Sequence, residues 1–144
     1  MWPQSFDDRL CEWFYLRQSF DKNNVELSLS KINNWWWRYP MVNKLITWED
    51  HLQWPDPWTL LSNNGICGLA RALGIVYTLL LIDESLKDRL IIVQDQNDNL
   101  VLVDNGKYIL NWSPSDLLNI QSININQSKQ LTGGLLYSLI GAKE

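Results

Sequence analysis

The 144-residue chain is poor in the residues that most readily do chemistry. It has two cysteines, Cys11 and Cys67, and one histidine, His51. Two cysteines cannot make a disulfide framework, and there is no CxxC or Cys/His cluster. A zinc site would have to be built mostly from carboxylates, so neither a metal nor a cofactor is expected. Basic residues are scattered, 12 Lys and Arg against 16 Asp and Glu, for a net charge of −4. Without a stripe of cations there is no surface to track phosphates, which excludes nucleic acid as a partner. The longest apolar stretch, "ALGIVYTLLLI" at 72–82, falls short of the roughly 20 residues that a membrane span takes. Membrane insertion is therefore not expected. "MWPQSFDDRL" lacks a basic region followed by an apolar one, which predicts no secretory signal and a reduced, cytoplasmic protein. Repeats, Gly/Ser linkers and charge blocks are missing as well. Residues 1–144 therefore read as one domain, with a Trp-rich helical part (1–53), a core (54–116) and a C-terminal arm with an apolar tail (117–144).

What the chain does have is tryptophan, nine in all. Indoles bury large areas, so they suit a small core and its interfaces; as stacking platforms they would suit sugars. Two amphipathic helices are predicted in the first part. One starts at Ser5 and carries Leu10, Trp13, Phe14 and Leu16; the second, capped by Asn24, carries Val25, Leu29, Ile32, Trp35 and Trp36 and stops before Pro40. "WWWRYP" ends the second helix, packed on the body or offered to a partner. "WPDPWTLL" predicts a short helix from Pro57 to Leu61 with Asp56 as its cap.

"NNGICGLARALGIVYTLLLIDE" predicts a central, largely buried helix over 65–82, capped by Asn64, with Cys67 in its first turn. Arg71, one turn on, is expected in a structural ion pair with Asp56, Asp83 or Asp104. Beyond Asp88 the period becomes that of strands. "RLIIVQD", "NLVLVD" and "KYILNW" predict a three-stranded antiparallel meander at 89–95, 99–104 and 107–112, with Asn105-Gly106 as a hairpin turn. "SPSD" at 113–116 reads as a capping-box helix start, and "NIQSININQSK" as an exposed edge strand or extended arm. The expected fold class is α+β, helices packed on a small antiparallel meander.

A thiol at a helix N-terminus faces the positive end of the dipole and unpaired N–H groups, both of which favour the thiolate. On these residues the chain resembles transglutaminase-like (papain-like) proteins. "NNGICGLARALGI" is similar to their G-x-C helix and "NLVLVDNG" to their strand ending in Asp. "WPDPWTLL" followed by "CGLARALGIVYTL" also resembles small proteins of tailed bacteriophages. The resemblance covers about residues 54–112. It implies Cys67 in the nucleophile position and Asp104 in that of the acid that orients a histidine. The family's base would stand on the strand at 89–95, where "DRLIIVQD" has none. His51 is the one substitute.

The leading expectation is a non-catalytic structural or assembly protein on a degenerate transglutaminase-like scaffold. The resemblance places it in a tail, baseplate or neck of a phage virion, assembled in the host cytoplasm. Its partners would be other protein subunits, met through Trp35, Trp36, Trp37, Ile123 and Ile125. The alternatives are a cysteine-dependent acyl transferase or amidase using Cys67, His51 and Asp104, and a carbohydrate-binding module using Trp35, Trp36, Trp37 or Trp54.

Overall fold

The computed structural model describes residues 2–119 and 127–140, apart from the side chains of 127 and 128. Among these, helices α1 (Phe6–Gln18), α2 (Val25–Trp37), α3 (Pro57–Leu61), α4 (Gly68–Ile82) and α5 (Gly133–Ser138) accompany strands β1 (Leu90–Asp95), β2 (Asp98–Val103), β3 (Tyr108–Leu110) and β4 (Gln127–Thr132). The strands form one antiparallel sheet in the order β3-β2-β1-β4. The architecture is α+β, as the periodicity predicts, but the sheet has four strands rather than three. The alternating segment after Leu118 explains the difference. Its end, β4, pairs with the free edge of β1, Ile91 opposite Thr132.

Local chemistry sets the helix starts. Ser5 accepts the amide of Asp8, Asn24 that of Leu27 and Asp56 that of Thr59. Each replaces an acceptor that the first turn of a helix lacks. α3 spans the predicted residues, with Pro57 at its first position. Its end is closed from outside: Arg9 Nε donates to the Leu61 carbonyl at 2.9 Å, and the Tyr39 hydroxyl donates to the Asn63 carbonyl with those of Leu60 and Leu61 also within reach.

The third strand shortens from the predicted 107–112 to Tyr108–Leu110, and two helix boundaries move as well. "SPSD" forms the capping contact, Asp116 N–H to Ser113 Oγ at 3.1 Å, yet no helix follows it. The same contact closes an isolated turn, and Leu118 then bridges to Ile109 of β3. The central helix starts at Gly68, not Gly65. Ile66 is held extended between Pro40 and Val42 by two backbone bonds of 2.9 Å each, which leaves Cys67 as the N-cap.

α4 is buried on every side from Leu69 to Leu80, including Arg71 and Thr78. A helix apolar all round must be enclosed by other elements. Here α1 and α2 lie on one side and the sheet on the other. Leu90, Ile92, Val101, Val103 and Leu110 face this core; Val93, Leu100, Leu102 and Ile109 form a second apolar layer on the opposite sheet face.

The three long helices meet at one hydroxyl. Thr78 Oγ1 accepts Trp13 Nε1 at 2.8 Å and Trp36 Nε1 at 2.9 Å, and donates to the Gly74 carbonyl at 2.8 Å. That uses every hydrogen-bonding position a hydroxyl has. Gly74 lets Trp36 come this close, since a Cβ there would lie 2.4 Å from Trp36 Cζ3.

Thr78→Val keeps the shape of the side chain and removes the acceptor, stranding two buried indole N–H groups. At about 1–3 kcal/mol each, the expected loss is about 2–6 kcal/mol in urea unfolding. Thr78→Ser, which keeps the oxygen, should retain most of the stability.

Candidate functional site

The start of α4 opens on a cavity of about 350 Å³. Cys67, Gly68 and Leu69 form its floor. Segment 43–49, the β1–β2 turn and Lys129 of β4 supply the walls. The segment arches over because Trp48 Nε1 donates to Asn99 Oδ1 at 2.8 Å and Trp54 Nε1 to the Thr47 carbonyl at 2.7 Å. Cys67 is 6% exposed, and its sulfur lies 3.9 Å from the Ile46 carbonyl oxygen. No side chain caps α4.

Beside this start runs a polar spine. Asn111, at φ 69°, sits in the left-handed region that Asn tolerates better than most residues. Its amide nitrogen donates to the carbonyls of Asn99 (2.7 Å) and Gly68 (3.1 Å), and its oxygen accepts Arg71 Nε at 2.6 Å. The backbone N–H of Asn111 donates to Asn33 Oδ1 at 2.9 Å. The spine thus joins α2, α4, β2 and the end of β3. Arg71 also sits over Trp37, its guanidinium carbon 3.3 Å from the ring centroid. Burial pushes the Arg71 pKa down to about 10, against a smaller opposing pull from Cys67. The expected ion pair of Arg71 with Asp56, Asp83 or Asp104 does not form. Its polar partner is the Asn111 amide.

The sequence candidates do not converge. His51 lies within a 3-10 turn (Trp48–Gln53), with Nδ1 3.3 Å from the Trp48 carbonyl oxygen, and it is not part of the cavity wall around Cys67. Asp104 stands in the β2–β3 turn, where it makes a two-pronged ion pair with Arg89, one contact at 2.7 Å. That turn adjoins the end of β2 remote from Asn99, because β2 runs from Asp98 to Val103. The polar residues that do gather at the start of α4 are Asn99 and Asn111, which sequence reasoning passed over. The one available signal was "NW" ending the third strand, a polar break in an apolar run.

The tryptophans are placed just as decisively. Trp35 and Trp36 are buried, with the Trp35 indole N–H on Glu12 Oε1 at 3.0 Å, so neither offers a contact surface. Trp37 is half-buried under Arg71, and Trp54 is 2% exposed. None of the four stands as an open platform for a sugar ring. The exposed aromatics are Phe14, Tyr15, Trp58 and Trp112. Ile123 and Ile125 lie outside the described residues. Among the described residues no group of His, Cys, Asp and Glu could hold a metal ion, and no helix is long and apolar enough to cross a membrane.

Two outcomes follow from these placements. With iodoacetamide under native conditions, exposed Cys11 should be alkylated well before Cys67, which peptide mapping over time would show. The reverse order would mark Cys67 as an activated nucleophile. The Arg89 guanidinium holds the Asp104 carboxyl below its usual range. A carboxylate lowered on folding adds stability above its unfolded pKa and loses it as pH falls through the folded one. Asp104→Asn should therefore flatten part of the fall in Tm below about pH 4 and lower Tm slightly at pH 7.

No family model matches the chain, and neither a curated protein nor a solved structure does.

Proposed function

We propose that the chain is a non-catalytic assembly protein that works through protein–protein contacts. One observation carries this reading: the thiol at the start of α4 contacts the Ile46 carbonyl oxygen, the carboxylate on its cavity wall, Glu49, is paired with Lys129, and neither His51 nor Asp104 lines that cavity. General base catalysis needs an acceptor within hydrogen-bond reach of the nucleophile, directly or through one water. His51 faces the Trp48 carbonyl, and Asp104 is committed to Arg89. Neither lines the cavity around Cys67. Asn111 holds the helix start through the Gly68 carbonyl and is itself braced on the Asn99 carbonyl, and neither amide takes a proton at neutral pH.

Two further features support contacts with other subunits. Phe14 and Tyr15 are 48% and 65% exposed on neighbouring positions of α1, and their rings touch edge-on at 5.6 Å. Large apolar side chains are costly to leave in water, and aromatic residues are enriched at protein interfaces. The outer edge of β4 has no strand partner among the described residues. Exposed edges accept strands from other chains. A phage tail, baseplate or neck as the assembly is a proposal that rests on the resemblance of the stretch around "WPDPWTLL" and "CGLARALGIVYTL" alone.

Cys67→Ser tests the reading directly. The variant should keep wild-type Tm within about 1 kcal/mol of stability and keep the same mass distribution in light scattering, alone and with partner subunits. It should also complement a deletion of the gene. Failure to complement despite normal folding would show that the thiol does chemistry.

A further inference from the structure

The outer face of α1 is complementary to itself from end to end. Asp7, Cys11, Phe14 and Gln18 are all exposed and recur at helical spacing, so they form one stripe. Leu10 and Arg17, seven residues apart, flank the stripe on one side. Asp8 and Tyr15, also seven apart, flank it on the other. The middle of the face is apolar, through Phe14 and Tyr15 with exposed Cys11 one turn before them. Its ends are opposite in charge: Asp7 and Asp8 stand in the first turn, Arg17 in the last.

Arg17 is left incomplete within one copy of the chain. Its guanidinium carbon lies 4.3 Å from the Trp13 ring centroid and 5.8 Å from that of Phe14. There Nε is buried with no hydrogen-bond partner, and burial lowers the Arg17 pKa. Among the described residues no carboxylate pairs with Arg17, and no cation pairs with Asp7. A cation drawn out of water without an anion is unfavourable, and a carboxylate from outside would relieve it. Asp7 of the same helix is too far to do so, ten residues or about 15 Å along the axis.

We infer that this face of α1 packs on the same face of a second copy of the chain, antiparallel about a twofold axis. The inference rests on the reading of the chain as an assembly protein and names its first partner. The axis crosses α1 at the level of Glu12, midway between Asp7 and Arg17. A twofold axis matches each flank with the same flank of the partner. Asp7 therefore meets the partner's Arg17, Leu10 meets the partner's Phe14, and the two Cys11 side chains lie beside each other across the axis. On the other flank the partner's Tyr15 falls between the levels of Asp8 and Glu12. A hollow of about 470 Å³ waits there, lined by Trp2, Pro3, Gln4, Asp8, Cys11 and Glu12. A parallel pair would set acid against acid, so charge selects the antiparallel one. A helix of 13 residues is only about 20 Å long, less than a standard interface of about 800 Å² per partner needs. The dimer is accordingly weak, with a Kd of about 1 μM to 1 mM.

The test is sedimentation equilibrium of the full chain from about 1 μM to about 1 mM. The wild type should fit a monomer–dimer equilibrium that added salt weakens. Phe14→Ser should raise the Kd by about tenfold or more, as loss of a central aromatic contact implies. Asp7→Arg and Arg17→Asp should each be monomeric alone, and their equimolar mixture should dimerise, since each then supplies the charge that the other lacks. A short bis-maleimide should join two copies through Cys11, because Cys67 is buried. A chain that stays monomeric throughout would overturn the pairing. So would a dimer whose Kd is unchanged in Phe14→Ser and Asp7→Arg, which would put the contact elsewhere, such as the outer edge of β4. Phe14 and Asp7 are exposed, so those two variants decide the matter even where Arg17→Asp fails to fold. A monomer that still enters heavier complexes with other subunits overturns the dimer alone; the assembly reading fails separately, in complementation by Cys67→Ser.

Discussion

Three helices that share no backbone bonds are registered by one oxygen atom. Thr78 Oγ1 takes the indole N–H groups of Trp13 from α1 and Trp36 from α2, and returns its own proton to α4. The geometry is demanding because two large rings must arrive at one atom from opposite elements. Gly74, one turn earlier, is the condition for it: with no side chain there, Trp36 can lie against the α4 backbone. Once α1 and α2 are fixed this way, one side of α4 is covered. Its other side is then left for β1 and β2, which fixes where the sheet lies. The buried Arg71 and the polar spine through Asn111 follow from that placement, since α2, α4 and the end of β3 converge there.

The abundance of tryptophan makes sense in these terms. An indole is mostly hydrocarbon with a single donor, so burying many of them requires as many buried acceptors. Among the described residues, five of the nine find one: Thr78 serves Trp13 and Trp36, Glu12 serves Trp35, Asn99 serves Trp48 and the Thr47 carbonyl serves Trp54, while the Trp37 N–H is buried without a partner. Trp2 packs between Trp35 and Tyr39, with its N–H buried and unbonded. Tryptophan here is a means of joining elements across the core. Little of it is left to recognise a ligand.

Much of the helical layout was legible because it is encoded locally. Ser5, Asn24 and Asp56 cap as their positions imply, and Pro57 opens a helix of the predicted length. The apolar strands also lie where β-branched runs and Asn105-Gly106 place them. What misled was every feature decided by distant residues. The start of α4 is set by Pro40 and Val42, far upstream, which hold Ile66 extended. "SPSD" has the local signal of a helix, but Leu118 is drawn into a bridge with Ile109, so only its turn survives. β4 was legible as an alternating strand, while its partner was not, since β1 is a neighbour only in space. The site was the least legible part. Asn99 and Asn111 matter through where β2 and β3 end, and a lone asparagine in a sequence carries no mark of that.

The strand order β3-β2-β1-β4 has a consequence for how the molecule is put together in time. β1, β2 and β3 are joined by tight turns, Asp95 pairing with Asp98 and Val103 with Tyr108, so they can zip up from local contacts alone. β4 must instead return across the width of the sheet to reach β1, and closing so long a loop comes after the meander exists. Until it arrives, the β1 edge lies bare, with Ile91 and Val93 beside it. The last strand to join is thus a molecular seal: it ends an interval in which the growing chain is as ready to pair with a neighbour as with itself.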